Sequence, residues 1–125
     1  MNTIILKAIK KIVDENPEIT DFGFSSLEDG KKLSKMERQR LITQERTRLY
    51  NSILSIEKIY YWICNNLVVQ STINKNISSY NLKQKAELDV GYISNGAFIV
   101  AALYSGLKYR RVGPNAYFNI KSSYI

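Results

Sequence analysis

The sequence predicts a mainly helical α+β fold with a small C-terminal β-hairpin. Apolar residues recur at helical spacing over long stretches, serines and glycines mark where those stretches begin and end, and only residues 108–120 alternate as strands do. The chain has 125 residues, of which 45% are hydrophobic. That is enough for one packed core and too short for two, so we expect a single domain over residues 1–125.

Residues 1–30 are expected to form a helix followed by an acidic loop. Ile5, Ile9 and Val13 fall at helical spacing between lysines, which indicates a helix over residues 2–15. Pro17 ends it, because proline disfavours the α conformation in the residue before it. Turn-forming residues predict a loop over residues 19–30. Three apolar side chains are expected to enter the core from this loop: Phe22, Phe24 and Leu27.

A long central helix is predicted over residues 35–66, within a segment that spans 31–67. Ser34 is the expected N-cap, with Glu37 at the capping-box position. The second half carries the apolar stripe of a core-packed helix: Leu49, Ile53, Ile56, Tyr60, Ile63 and Leu67. Tyr50, Tyr61 and the thiol of Cys64 are expected in the core with it. The first half has few apolar residues, so we expect it to project as a solvated basic arm.

Residues 78–125 are expected to form a winged helix-turn-helix-like unit, after a connector or brief strand over 68–77. Ser78 or Ser79 begins one helix, which Gly91 ends, and a second helix runs from Ser94 to Gly106. Strands over 108–112 and 116–120 flank a Gly-Pro-Asn turn. The second helix has seven consecutive apolar residues, 97–103, so we expect it to lie mostly in the core. Its expected contacts join Phe98, Ile99 and Ala102 to Ile56, Tyr60 and Ile63.

The net charge of +7 is unevenly distributed along the chain. Residues 1–30 carry six acidic and three basic side chains, a net charge of −3. Residues 31–58 carry eight basic and three acidic side chains, and residues 70–125 carry seven and two, so each segment has a net charge of +5. Such a field concentrates anionic partners and speeds their association. The simpler alternative is a charge that serves solubility alone.

We expect no enzyme of the acid–base or metal-dependent kind, no cofactor and no metal. The chain has no histidine and one cysteine, which excludes a thiolate–imidazole pair and a Cys/His metal cluster. The carboxylates over residues 14–21 lack EF-hand spacing. The single cysteine fits a reducing compartment. The N-terminal apolar run is only Ile4–Leu6, so we expect a cytoplasmic protein without membrane association.

Candidate partner-binding residues come from the two basic segments. Wing hairpins often touch phosphates, and tyrosines beside arginines are typical of single-strand stacking surfaces and equally of protein–protein hot spots. The N-terminus of the second tail helix would offer free N–H groups to a phosphate. In the hairpin, Lys108 and Arg110 should share one face, with Arg111 opposite. The candidates are Lys31, Lys32, Lys35, Arg38, Arg40, Arg46, Arg48, Lys83, Lys85, Asn95, Lys108, Tyr109, Arg110 and Arg111. Charge reversal at the four arginines of the arm is expected to leave folding almost unchanged.

One part of the tail resembles a segment of known proteins. The stretches TIN (72–74), SSYNLK (78–83), AE (86–87), GYISNGAFI (91–99) and AA (101–102) are similar to a segment that recurs in small uncharacterised proteins of bacteria, phages and plasmids. The resemblance covers roughly the last 50 residues and brings no established activity. It implies an accessory protein of a mobile element, a setting in which small basic proteins regulate transcription or block host defences.

Two functions from different classes follow as expectations. The first is nucleic-acid binding, to DNA or RNA, through the Lys31–Arg48 arm and the Lys108–Arg111 hairpin. The second is an inhibitor of the anti-CRISPR kind, which would use the same basic, tyrosine-rich surface to bind an acidic surface of a host defence complex. The sequence leaves open which partner is bound and whether the protein is a homodimer.

Overall fold

The structure is a computed structural model that describes residues 3–24 and 33–121, in which five helices and two short hairpins enclose one core. The helices are Thr3–Glu15 (α1), Lys35–Asn51 (α2), Ile53–Asn66 (α3), Ser79–Val90 (α4) and Asn95–Tyr104 (α5). Strand Ile19–Thr20 (β1) pairs with Gly23–Phe24 (β2), and Tyr109–Val112 (β3) pairs with Asn115–Phe118 (β4), both antiparallel. The predicted mainly helical α+β fold with a C-terminal hairpin is confirmed.

Helix α5 lies at the centre of the core, and it is apolar on every side because other elements cover every side. Helices α1, α3 and α4 and the β1–β2 hairpin all contact it. Phe98 is fully buried, and its ring lies 6.3 Å from that of Trp62 and 6.2 Å from that of Phe118. The predicted burial of this helix is confirmed. Tyr60 is only half-buried and packs edge-on against Tyr104, with ring centres 4.8 Å apart.

The predicted central helix is two helices, which corrects the prediction of one helix over 35–66. Ser34 caps α2 as predicted, since its side chain accepts a hydrogen bond from the Glu37 N–H. The break falls at Ser52, whose φ of −95° and ψ of 7° leave the helical region. The Ser52 hydroxyl donates a hydrogen bond to the Arg48 carbonyl, four residues earlier. Such a bond between a serine side chain and the backbone often bends a helix. The consequence is that α2 buries only Leu49, whereas α3 buries five residues.

The segment predicted as a loop after α1 begins with the β1–β2 hairpin, and this places Phe22 outside the core. Ile19 and Phe24 are buried, but the tight turn between the strands leaves Phe22 76% exposed, contrary to the prediction. The predicted core position of Leu27 lies outside the described residues.

The thiol of Cys64 is exposed, which corrects the prediction that it is buried. It lies one helical turn after the half-buried Tyr60, outside the strip of α3 that Trp62 and Ile63 bury. A hydrogen bond to this thiol raises the pKa of the Tyr60 hydroxyl. Tyr61 is exposed and Tyr50 is half-buried, so neither is the core residue that the sequence suggested.

The connector between α3 and α4 lies along the edge of β4 that β3 leaves open. The N–H groups of Gln70 and Asn74 donate to the carbonyls of Asn119 and Phe118, at 2.8 Å each. Val69 is bridged to Ile120, and Ser78 is bridged to Tyr117. Strand β4 is therefore held on both edges, which fixes the C-terminal hairpin to the start of α4.

Replacing Phe98 with alanine is expected to lower the free energy of unfolding by about 3–5 kcal/mol, because the ring leaves a cavity among rings that cannot close it. Urea denaturation measures this change. Leu88→Ala is the matched control, since Leu88 is 87% exposed in the neighbouring helix. It should change the stability by less than about 0.5 kcal/mol. An unchanged unfolding midpoint for Phe98→Ala would contradict the central position of α5.

Candidate nucleic-acid interface

Helices α4 and α5 and the β3–β4 hairpin follow one another in the order predicted for the tail. The two helix axes are bent by 91° relative to each other across a four-residue turn, and the hairpin follows as the wing. Ser78 caps α4 in a complete capping box. Gly91 ends α4 with a φ of +84°, a backbone conformation that residues other than glycine rarely adopt. The local signals in the sequence therefore produced the predicted arrangement.

Helix α5 is inaccessible to a nucleic-acid groove, because the β1–β2 hairpin covers its N-terminus. The Gly96 N–H donates to the Asp21 carbonyl at 3.1 Å. A Cβ atom on Gly96 would lie 1.8 Å from the Thr20 carbonyl oxygen, so only glycine permits this close approach. Asn95 is buried, and its side-chain amide donates to the Phe22 carbonyl and to Asn115 Oδ1. The prediction that Asn95 and this helix end meet a phosphate is wrong.

The β3–β4 hairpin has two faces with different roles. Tyr109 and Arg111 contact the same ring: Tyr109 stacks on Phe24 with ring centres 5.7 Å apart, and the Arg111 guanidinium lies 5.2 Å from the centre of that ring. Because side chains alternate along a strand, Arg110 lies on the opposite face. Tyr109 and Arg111 thus attach the hairpin to β2, and the predicted separation of Arg110 from Arg111 is confirmed.

The outer face of the hairpin carries basic side chains that no carboxylate among the described residues neutralises. Lys108 and Arg110 share this face, Tyr117 is opposite Arg110, and the exposed Lys121 follows three residues after the end of β4. We call this set the hairpin face: Lys108, Arg110, Tyr117 and Lys121. The three basic side chains are exposed, and none forms an ion pair within residues 3–24 and 33–121.

Hydrogen bonds hold the backbone of the hairpin face in place. The Lys108 N–H donates to Asn119 Oδ1 at 2.8 Å, and the Asn119 N–H donates to the Lys108 carbonyl. The Asn119 side-chain amide donates to the Gln70 carbonyl at 3.0 Å. Asn119 is buried, so these bonds are shielded from water. The cationic side chains therefore project from a fixed support.

The basic arm divides into an exposed part and a part bound to the rest of the fold. Lys35, Arg38 and Arg40 are exposed near the start of α2. Arg46 instead donates to the Asp14 carbonyl of α1 at 3.3 Å and lies 4.0 Å from the carboxylate of the same residue. Arg48 pairs with Glu45 at 3.2 Å. Lys31 and Lys32, the other candidates of this arm, lie outside the described residues.

Helices α1 and α2 are joined at Asp14 by a second contact. The Tyr50 hydroxyl donates to Asp14 Oδ1, and this bond raises the pKa of Tyr50. Glu45 in turn accepts a hydrogen bond from the Asp21 N–H in the turn between β1 and β2. The second half of α2 is thus part of the packed structure, so Arg46 is not the solvated arm residue that the sequence predicted.

Lys83 is buried, which corrects its prediction as an exposed binding residue. Its ammonium group lies 2.7 Å from the Glu87 carboxylate, with the ring centres of Tyr80 and Tyr92 at 5.1 and 5.5 Å. Lys85, two residues later, is exposed as predicted. Two tyrosine rings and the Glu87 carboxylate, four residues later on α4, therefore enclose the Lys83 ammonium group. Helical spacing allows this arrangement, but the spacing alone does not predict it.

The predicted binding residues did not include two residues of the hairpin face, Tyr117 and Lys121. Tyr117 is one of the tyrosines beside basic residues in the tail and lies within the predicted strand over 116–120, whereas Lys121 is the residue after that strand. The contact between Arg111 and Phe24 had no signal in the sequence, since 87 positions separate the two residues.

Comparisons with known proteins add no relative. No protein-family model, no curated protein and no solved structure matches the chain. The resemblance of residues 72–102 to proteins of phages and plasmids therefore stays a prediction.

Two further surveys cover the described residues alone. The described residues contain no group of three His, Cys, Asp or Glu side chains placed to hold a metal ion. No single helix among them is long and apolar enough to cross a membrane, whereas α4 and α5 reach that length and composition only as a pair with a sharp bend between them.

Reversing the charge of Arg46 is expected to destabilise the fold, whereas reversing that of Arg40 is not. Arg46→Glu removes the bond to the Asp14 carbonyl and places a second carboxylate beside Asp14, at a cost on the order of 1 kcal/mol. Arg40→Glu changes an exposed side chain and should stay within about 0.5 kcal/mol. Urea titrations of both variants measure the difference, and equal stabilities would show that the Arg46 contact contributes nothing.

Proposed function

We propose that this protein binds nucleic acid through its phosphate backbone, with the hairpin face as the principal contact and the start of α2 as a second. The observation that carries the proposal is the fixed hairpin face, where Lys108, Arg110 and Lys121 are exposed and form no ion pair with any residue that the structure describes. Exposed cations without acidic partners are the groups that phosphates attract, because their charge is not already satisfied inside the protein.

The distribution of ion pairs supports this choice of surface. The described cations that pair with Asp14, Glu45 or Glu87 are Arg46, Arg48 and Lys83, and none of them belongs to the hairpin face. The β1–β2 hairpin contacts β4 and, through the hydrogen bond from the Asp21 N–H to Glu45, the second half of α2.

The burial of α5 favours backbone contacts over groove reading. A recognition helix needs exposed polar side chains that reach base edges. All side chains from Asn95 to Ala102 are buried, so this helix offers no such group. The winged arrangement would then act through the wing alone, with affinity dominated by phosphate contacts and little preference for base sequence.

The proposal is tested by titrating labelled DNA and RNA oligonucleotides with the protein at several salt concentrations. Affinity is expected to fall steeply as salt rises from about 50 to 200 mM, because each phosphate contact releases a counterion. Arg40→Glu should reduce affinity by less than a change in the hairpin face, since the arm is the second contact. Undetectable binding at about 50 mM salt, or binding insensitive to salt, would overturn the proposal.

Charge reversals within the hairpin separate its two faces. Lys108→Glu and Arg110→Glu are expected to weaken binding alike, by about tenfold or more, because each removes a charge-assisted contact and adds repulsion. Arg111→Glu should weaken binding less and lower thermal stability instead, because Arg111 packs on Phe24. Anisotropy titrations and melting curves of the three variants give both quantities. Equal loss of binding for Arg110 and Arg111, with none for Lys108, would contradict the two-faced hairpin.

A pulldown distinguishes this proposal from the inhibitor that the sequence also suggested. The wild-type protein and Arg110→Glu are incubated with lysate of a bacterial host, with and without nuclease. Loss of all partners after nuclease treatment supports nucleic-acid binding. A stoichiometric protein partner that survives nuclease and is lost in Arg110→Glu would contradict it and favour the inhibitor.

A further inference from the structure

The most exposed aromatic rings of the helix-turn-helix-like unit lie together beside the hairpin face. Tyr92 is 84% exposed and Tyr80 is 46% exposed, and both rings approach the ammonium group of Lys83. We call Tyr80 and Tyr92 the tyrosine pair. Burying such rings gains free energy, so two of them kept in solvent at one place need a reason.

The tyrosine pair is held in place from within the protein. The Lys83 ammonium group is bonded to Glu87 at 2.7 Å, so its charge is neutralised and its position is fixed. The ring centres lie 5.1 and 5.5 Å from this ammonium group, within the range of a cation–π contact. Lys83 is therefore a positioning residue that orients the rings, and it leaves their other faces open to a ligand. Rings ordered in advance lose little entropy on binding.

The tyrosine pair is continuous with the hairpin face. Arg110 is opposite Tyr117 across the hairpin, and Tyr117 is bridged to Ser78. Ser78 is the N-cap of α4, and Tyr80 is the second residue of that helix. A nucleic-acid backbone bound at Arg110 would thus be separated from the tyrosine pair by two neighbouring segments of the protein, β4 and the start of α4. A few nucleotides span such a spacing.

From this geometry we infer that the ligand is single-stranded nucleic acid, with unpaired bases stacked on Tyr80 and Tyr92 while the hairpin face holds the phosphates. The inference rests on the proposed function and makes it more specific. In a duplex the faces of the bases are hidden by their neighbours, whereas in a single strand every base offers a face to an aromatic ring. The buried α5 removes the usual route to a duplex, and the open rings supply a contact that only a single strand can use.

The test compares binding of dT and rU oligomers of about 12 nucleotides with binding of a duplex of the same length, a size within the usual range of single-strand sites. The wild-type protein is expected to bind both single strands more tightly than the duplex. Tyr92→Ala and Tyr80→Ala should each weaken single-strand binding by about fivefold to 150-fold, the loss expected for one stacking contact. Duplex binding should be unchanged, because its phosphates still meet the hairpin face.

Two control variants separate stacking from other effects. Tyr92→Phe keeps the ring and should bind single strands as the wild type does, because stacking needs no hydroxyl group. Leu88→Ala alters another exposed apolar side chain of α4 and should also bind normally. Melting curves confirm that each variant is folded, which is expected for the Tyr92 variants because that side chain makes little contact with the core.

The outcomes distinguish this inference from the proposed function. No binding of any nucleic acid overturns both. Salt-sensitive binding that is equal for duplex and single strand, and unaffected by Tyr92→Ala, overturns the stacking inference alone. Loss of a protein partner in a nuclease-treated pulldown with Tyr92→Ala, while single-strand binding stays normal, assigns the tyrosine pair to a protein surface and also overturns it. Equal losses for dT and rU support stacking in general, and a larger loss on one polymer identifies the natural ligand.

Discussion

The fold depends on the burial of α5 on all sides. A helix whose side chains from Asn95 to Ala102 are all inaccessible must be surrounded, and here α1, α3, α4 and the β1–β2 hairpin surround it. At Gly96 the backbone of α5 lies directly against the backbone of the β1–β2 hairpin. The Gly96 N–H donates to the Asp21 carbonyl, and a Cβ atom at this position would not fit. Because the interior allows so little space, the positions of the N-terminal helix and of both hairpins follow from the shape of this one helix.

That central position also determines which surfaces remain for a partner. In a winged helix-turn-helix the second helix usually carries the specificity, and the wing adds affinity. Here α4 and α5 meet at a bend of 91°, and α5 is buried in the core from Asn95 to Ala102. The accessible chemistry lies at the periphery, in the hairpin face and in the tyrosine pair. Both are anchored from inside, one by Asn119 and the other by the Lys83–Glu87 pair.

The basic residues have two different roles, which the net charge of the protein does not distinguish. Arg46 and Arg111 contact another element, through the Asp14 carbonyl of α1 and the Phe24 ring of β2, whereas Arg48 and Lys83 pair with carboxylates of their own helices. Lys108, Arg110 and Lys121 have no such contact among the described residues. An approaching anion therefore meets charge that no carboxylate among the described residues neutralises at Lys108, Arg110 and Lys121, and also at other exposed cations such as Arg40, Lys75 and Lys85.

The sequence by itself determined the local elements, because their signals act over a few residues. Ser34, Ser78 and Ser94 cap helices where the pattern placed them, Gly91 ends α4, and the Gly113–Pro114 turn joins the last two strands. Periodicity also identified α5 as core. The tertiary structure decided which polar groups stay free. Whether Arg46 or Asn95 reaches solvent depends on neighbours distant in sequence, about which helical spacing carries no information. For Lys83, helical spacing allows the contacts with Tyr80 and Glu87 but does not show that Tyr92 also encloses the ammonium group. The exposure of Phe22 and Cys64 was likewise decided by tertiary structure, since packing buries one side of each element and leaves the other to water.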